Sequence, residues 1–129
     1  MKLVVLEAES SVLEAELRKH DEWLSAIVCV TEVMRATKRW IVVAGITGGA
    51  ANARFDRAAE VLRSVALIDV DGPSAWRAGA VDPAELRTLD AIHLATAIDL
   101  SADLEAFVTY DARLATAAGA AGLNVLSPR

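Results

Sequence analysis

Cysteine is nearly absent from this chain of 129 residues, which contains Cys29 alone. A single thiol excludes an internal disulfide and a zinc site that needs a pair of cysteines. Long apolar runs are also missing, and the uncharged stretch at residues 40–53 contains three glycines and is too short to cross a bilayer. Glu7 and Glu9 interrupt the apolar start, so we expect no secretion signal. We therefore expect a cytoplasmic protein without a membrane segment.

The composition favours one folded domain that spans residues 1–129. Hydrophobic residues make up 54% and charged residues 24% of the chain, which suits a domain with its own core. The net charge of −5 disfavours a broad nucleic-acid-binding surface. Residues 35–63 nevertheless hold six basic residues against two acids, a balance of +4 that leaves −9 for the rest. Such a stretch either faces phosphates or consists of solvated helix faces.

The apolar pattern predicts short strands that alternate with helices. Continuous runs rich in β-branched residues predict strands at 26–30, 65–70, 105–110 and 123–126. Helical spacing predicts helices at 9–19, 31–43, 54–63, 75–80, 88–100 and 111–121, and glycines follow the second and the last of these. Strands separated by helices indicate an α/β fold with a parallel sheet.

Three acidic residues occur where a parallel sheet would bring them to one edge. Glu32 follows the first predicted strand, Asp111 follows the third, and Asp90 lies in the first turn of the most apolar helix. Ligands collect at the carboxyl ends of parallel strands. Clustered carboxylates favour a hard cation such as Mg²⁺ or Mn²⁺, which can activate water against a phosphodiester. Each acid also suits a helix N-terminus, so position alone leaves capping and catalysis as alternatives.

Three short motifs surround these acids. Residues 31–36 have the sequence TEVMRA, residues 88–97 have TLDAIHLATA, and residues 108–115 have VTYDARLA. In order and spacing the chain resembles PIN-domain ribonucleases, particularly the VapC-type toxins of toxin–antitoxin pairs, over essentially its whole length. The resemblance implies a three-layer α/β fold with a parallel central sheet and helices on both faces. It also implies that Glu32, Asp90 and Asp111 bind Mg²⁺ or Mn²⁺, and that Thr109 supports the catalytic site.

The resemblance further implies an activity and partners. VapC-type toxins are metal-dependent endoribonucleases that cleave structured RNA, commonly tRNA or ribosomal RNA, and so arrest translation. They usually form homodimers, bind a cognate VapB-type antitoxin, and reach operator DNA only through it. Family members begin with a strand that ends in an Asp, and residues 1–3 resemble the end of that segment. We therefore expect the first strand and its acid to lie upstream of Met1.

Two other hypotheses stay open at this point. One is a catalytically silent PIN-like protein that binds antitoxin without cleaving RNA, and the other is a flavodoxin-like fold whose acids only cap helices. His93 shares a helical face with Asp90 and is expected to pack against the sheet rather than to bind a ligand. Arg35, Lys38 and Arg39 on the second predicted helix either hold phosphates or acidic partner groups, or are simply solvated.

Overall fold

Helices and short strands alternate in the computed structural model, which describes residues 10–129. The order is α1 (Ser10–Leu17), β1 (Leu24–Ala26), α2 (Val28–Val43), α3 (Gly48–Arg63), β2 (Ala66–Ile68), α4 (Gly72–Gly79), α5 (Thr88–Asp99), β3 (Phe107–Val108), α6 (Ala112–Ala120) and β4 (Val125–Leu126). This confirms the predicted α/β class. The chain forms two compact units, the first running to Leu67 and including Arg129, and the second containing residues 68–128.

The first unit is built around the packed helices α2 and α3. Thr37 and Ile41 on α2 and Ala58 on α3 are buried. The Thr37 hydroxyl donates a hydrogen bond to the carbonyl of Val33 at 2.8 Å, which satisfies a polar group that would be costly to bury unpaired. β1 and β2 are neighbours in a two-stranded sheet. The buried side chains of this helical pair are thus apolar or hydrogen-bonded.

The second unit has a small apolar core between α5 and α6. Leu94 is fully buried there. The other buried members are Leu114, Ala117 and Ala118, and partly buried side chains of Val81, Leu86, Phe107, Leu123 and Val125 pack against them. β3 and β4 pair in parallel, with Phe107 opposite Val125 and Val108 opposite Leu126. The short β3 strand is thereby attached to the core, and it leads directly into the loop before α6.

A salt bridge connects α4 to α5 within the second unit. Arg77 donates from Nε and Nη2 to the carboxylate of Asp99, at distances of 2.7 to 3.1 Å. This hydrogen bonding raises the pKa of the Arg77 guanidinium. At the start of α4, Asp71 accepts a hydrogen bond from the backbone N–H of Ser74 at 2.8 Å, and this bond lowers the pKa of Asp71. The Arg77–Asp99 pair adds a polar contact between the two packed helices α4 and α5.

One predicted strand is wrong, and three helices begin earlier than expected, among them α2, which begins at Val28 rather than residue 31. β1 ends at Ala26, and the apolar residues that follow, including Cys29, lie in the first turn of α2. A continuous apolar run of five residues fits a buried strand and a buried helical turn equally well. α3 begins at Gly48 rather than residue 54, and α4 begins at Gly72, within residues expected to form a turn. The remaining elements lie where they were predicted, with shorter strands.

Two expectations about the membrane and the chain start have different outcomes. Among residues 10–129, no helix combines the length and apolar character needed to span a bilayer. The expectation that residues 1–3 continue a strand from upstream falls outside the described residues. The prediction of a single domain over residues 1–129 stays a prediction.

Candidate functional site

Asp111 is held in one orientation at the start of α6. Its Oδ1 accepts a hydrogen bond from the backbone N–H of Leu114 at 2.9 Å, which makes Asp111 the N-cap of this helix, as predicted. Its own backbone N–H donates to Oγ1 of Thr109 at 3.2 Å. The capping bond uses one carboxylate oxygen, and within the described residues Oδ2 makes no hydrogen bond. The carboxylate is therefore oriented by its neighbours while one oxygen remains available to a ligand.

Both backbone polar groups of Thr109, the N–H and the carbonyl, are hydrogen-bonded. Its backbone N–H donates to the carbonyl of Leu126 at 3.1 Å, and its carbonyl accepts from the Ser127 hydroxyl at 2.5 Å. The hydroxyl of Tyr110 donates to the carbonyl of Pro128 at 2.6 Å. These contacts continue the β3–β4 pairing beyond the strand ends, so the segment before Asp111 is fixed. Sequence patterns missed Ser127 and Tyr110 because each partner lies 18 residues away.

Asp90 occupies the first turn of α5, as predicted, and is half-buried. A carboxylate in this position is stabilised by the partial positive charge at a helix N-terminus. α5 packs against α6, so the second unit contains two contacting helices with an acid at or next to each N-terminal end. His93, one turn after Asp90, is half-buried rather than enclosed in the core. The N-terminal positions of Asp90 and Asp111 fit both capping and a carboxylate ligand.

Glu32 lies in the first unit, in the second turn of α2, and is half-buried. It was expected directly after a strand, which is wrong because β1 ends at Ala26 and the helix has already begun at Val28. The predicted ligands are thus divided between the two units, and the contact that the structure does establish is between Thr109 and Asp111. Within either unit, the described His, Cys, Asp and Glu side chains form no group of three that could enclose an ion. The shared metal site stays a prediction.

The donor chemistry of these residues fits a hard divalent cation. Carboxylate oxygens are the ligands that Mg²⁺ and Mn²⁺ prefer, and both ions keep water in their coordination shells. Asp111 offers a preoriented carboxylate, and Asp90 offers a half-buried one that gains from an opposite charge. A cation would also offset the repulsion that carboxylates experience when they approach one another. The donor atoms of these residues are therefore of the type that such an ion prefers.

Comparisons with known proteins identify relatives across almost the whole chain. The PIN domain model matches residues 4–120. Ribonuclease VapC46 of Mycobacterium tuberculosis (strain ATCC 25618 / H37Rv) is 40% identical over 128 residues, which are 99% of this chain and 91% of that protein. Ribonuclease VapC47 of the same species (strain CDC 1551 / Oshkosh) is 31% identical over 131 residues, which cover 98% of this chain and 90% of that protein. Ribonuclease VapC35 of the same species and strain is 35% identical over 133 residues, which cover 99% of this chain and 90% of that protein.

Proposed function

The chain belongs to the PIN-domain family and has VapC ribonucleases among its relatives, and on that premise we propose that it is an endoribonuclease and the toxin of a toxin–antitoxin pair. Its substrates are structured RNAs, tRNA or ribosomal RNA, whose cleavage arrests translation. The observation that carries the proposal is the carboxylate of Asp111 at a helix N-terminus. The backbone N–H of Leu114 orients this carboxylate, and Thr109 holds the backbone N–H of Asp111.

Glu32, Asp90 and Asp111 would hold Mg²⁺ or Mn²⁺. When bound, the ions supply stabilisation of the charge that develops on the phosphodiester, together with activation of the attacking water. Asp111 presents its carboxylate in a fixed orientation, which avoids the entropy cost of ordering a mobile ligand. Thr109 acts on Asp111 through the backbone hydrogen bond and is a positioning residue. Asp90 and Glu32 are half-buried, so water competes less with their interactions than at an exposed site.

The family also supplies the expected architecture and partners. We propose the three-layer arrangement, with a parallel central sheet and helices on both faces, for the folded protein. A VapB-type antitoxin would bind the toxin, and operator DNA would be reached only through that antitoxin. Trp76 on α4 supports a homodimer. Its side chain is 84% exposed, and tryptophan is enriched on surfaces that subunits bury against each other.

A titration with Mn²⁺ and an RNA cleavage assay test the proposal together. Asp90→Asn removes a ligand charge and keeps the side-chain shape, so we expect loss of Mn²⁺ binding heat and of metal-dependent cleavage. Asp103→Asn is the matched control, because Asp103 is an exposed acid of the same unit, and it should leave both unchanged.

Two results would contradict the proposal. A chain that binds antitoxin but neither binds Mn²⁺ nor cleaves RNA would support the catalytically silent alternative. Full activity in Asp90→Asn would mean that this acid serves only the N-terminus of α5. Circular dichroism of both variants establishes that they are folded before the assays are compared.

A further inference from the structure

The basic residues of the first unit divide into paired and unpaired groups. Arg18, Lys19 and Arg57 each pair with a glutamate one helical turn away, at 2.6, 2.6 and 3.1 Å. Arg35, Lys38 and Arg39 are all exposed, and none has a carboxylate within salt-bridge distance among residues 10–129. We call these three residues of α2 the basic stripe. Uncompensated charge concentrated on one helix creates a local positive potential despite the net charge of −5.

The basic stripe faces solvent in a regular arrangement. Thr37 and Ile41 mark the buried side of α2. At 100° per residue, Arg35 and Arg39 point to the opposite side, and Lys38 lies beside them. Arg35 and Arg39 are four residues apart, which separates them by about 6 Å along the helix axis. That repeat is close to the distance between successive phosphates in a nucleic-acid strand.

A fourth cation lies on the helix that packs against α2. The guanidinium of Arg54 on α3 is 4.7 Å from the ring centroid of Trp40, a distance typical of a cation–π contact. The half-buried indole therefore restricts an exposed arginine that would otherwise move freely. The nearby Arg57 is paired with Glu60, so it adds little net charge. The helical pair α2–α3 thus contributes fixed positive charge beyond the basic stripe.

The basic stripe begins one turn after Glu32 on the same helix. Glu32 and Arg35 are separated by three residues and Glu32 and Arg39 by seven, a spacing that keeps all three along one side of α2. Under the proposed function Glu32 holds a metal ion at the reacting phosphate. Cations further along this side would then meet the phosphates that follow in the same strand.

We infer that the basic stripe binds the phosphate backbone of the RNA substrate on the flank of the cleavage site. This deepens the proposed function and rests on it. Contacts of this kind position a strand without reading its bases, so the stripe contributes affinity and register rather than sequence specificity. RNA fits better than an acidic protein because the basic stripe adjoins Glu32, a candidate ligand for RNA cleavage, on the same helix.

Fluorescence anisotropy with a labelled RNA hairpin in EDTA tests the inference, because chelation prevents cleavage during binding. The stripe variant is the triple substitution Arg35→Gln, Lys38→Gln and Arg39→Gln. The matched control removes the same charge from exposed positions elsewhere in the unit: Arg18→Gln, Lys19→Gln and Arg63→Gln. Circular dichroism checks that both variants fold.

We expect the stripe variant to lose more than about tenfold in affinity at low salt. Its salt slope should fall by about 0.7–0.9 for each lost contact, or about 2.1–2.7 for all three. The control variant should keep most of its RNA affinity and most of its salt slope. Equal affinity and slope in the two variants would overturn the inference. So would a stripe variant that loses antitoxin binding while its RNA binding is unchanged, because the surface would then serve a protein partner.

The same proteins separate this inference from the proposed function. If the unmodified chain fails to cleave RNA in Mn²⁺ but the stripe variant still loses RNA binding, the proposed catalysis fails and the binding surface stands. If the chain cleaves RNA and the stripe variant binds RNA as the control does, the catalysis stands and the binding surface fails.

Discussion

Asp111 caps α6 and is also a proposed metal ligand, and two substitutions separate these roles. Asp111→Asn keeps a side-chain oxygen that can accept the hydrogen bond from Leu114, but it removes the carboxylate charge. Asp111→Ala removes both. If Asp111 is only a cap, Asn should behave almost like the unmodified protein and Ala should be destabilised. If Asp111 binds metal, both variants should lose activity although their stabilities differ.

The stability terms follow from the geometry of the cap. Loss of the 2.9 Å bond in Asp111→Ala should cost about 0.5–2 kcal/mol of unfolding free energy. Asp111→Asn loses the attraction between a negative charge and the helix N-terminus, about 0.3–1 kcal/mol. Domains of this size are typically stable by about 5–15 kcal/mol. Both variants should therefore remain almost entirely folded at 25 °C, and unfolding cannot account for a large loss of activity.

Urea denaturation and RNA cleavage are measured on the same preparations. We expect the midpoint of Asp111→Ala to fall further than that of Asp111→Asn, with unchanged m-values. Cleavage should fall by more than about 100-fold in both variants, because even residues behind metal ligands are worth about 10–100-fold. An Asp111→Asn protein that cleaves RNA at the normal rate would refute the metal role and leave Asp111 as a helix cap.

Three further predictions concern the core, the start of α4 and the support of the site. Leu94→Ala should lower the unfolding free energy by about 2–5 kcal/mol in urea denaturation, because the side chain is fully buried, and a smaller loss would mean that the core collapses around the cavity. The pKa of Asp71 lies below its usual 3.8 because its side chain accepts a hydrogen bond from the backbone N–H of Ser74. The stabilisation that this bond gives the folded protein is therefore complete above pH 3.8, and it is lost as the pH falls through the lowered pKa. The stability gap between the unmodified chain and Asp71→Ala should narrow below about pH 4, and a constant gap would contradict this. Thr109→Val should reduce the rate of RNA cleavage by about 10–100-fold, whereas Thr109→Ser, which keeps a hydroxyl, should cleave at close to the unmodified rate. If Thr109→Val cleaves as fast as the unmodified chain, the contact between Thr109 and Asp111 does not position the carboxylate.

Local signals predicted most element ends because they depend on a few neighbouring residues. Gly45 and Gly122 follow α2 and α6 with φ of 65° and 87°, values that favour glycine, and Asp111 caps α6 as expected. The error at the first strand arose where neighbouring residues carry no such signal. At α4 the signal was present but misinterpreted, since an Asp followed by Pro73 in the first turn starts a helix as readily as it forms a turn.

The candidate site was predictable to a different extent. Motif spacing located Asp90 and Asp111 at their helix N-termini, because capping preferences act within one turn. It could not locate the backbone partners of Thr109, since the β3–β4 pairing that brings Leu126 beside it is a long-range contact. The position of Glu32 relative to β1 was wrong because it depended on the mistaken strand. The residues closest to a local signal were therefore predicted best.

The charges of the two units suggest why a nuclease of this kind would need both metal ions and a separate basic surface. The second unit carries nine acids and three basic residues, so by itself it repels a polyanion. Divalent ions at its carboxylates would reverse that repulsion locally, but only where they are bound. The basic stripe of the first unit attracts phosphate without any ion. Binding of RNA in EDTA should therefore depend on the basic stripe, whereas cleavage should require the acids and a metal as well.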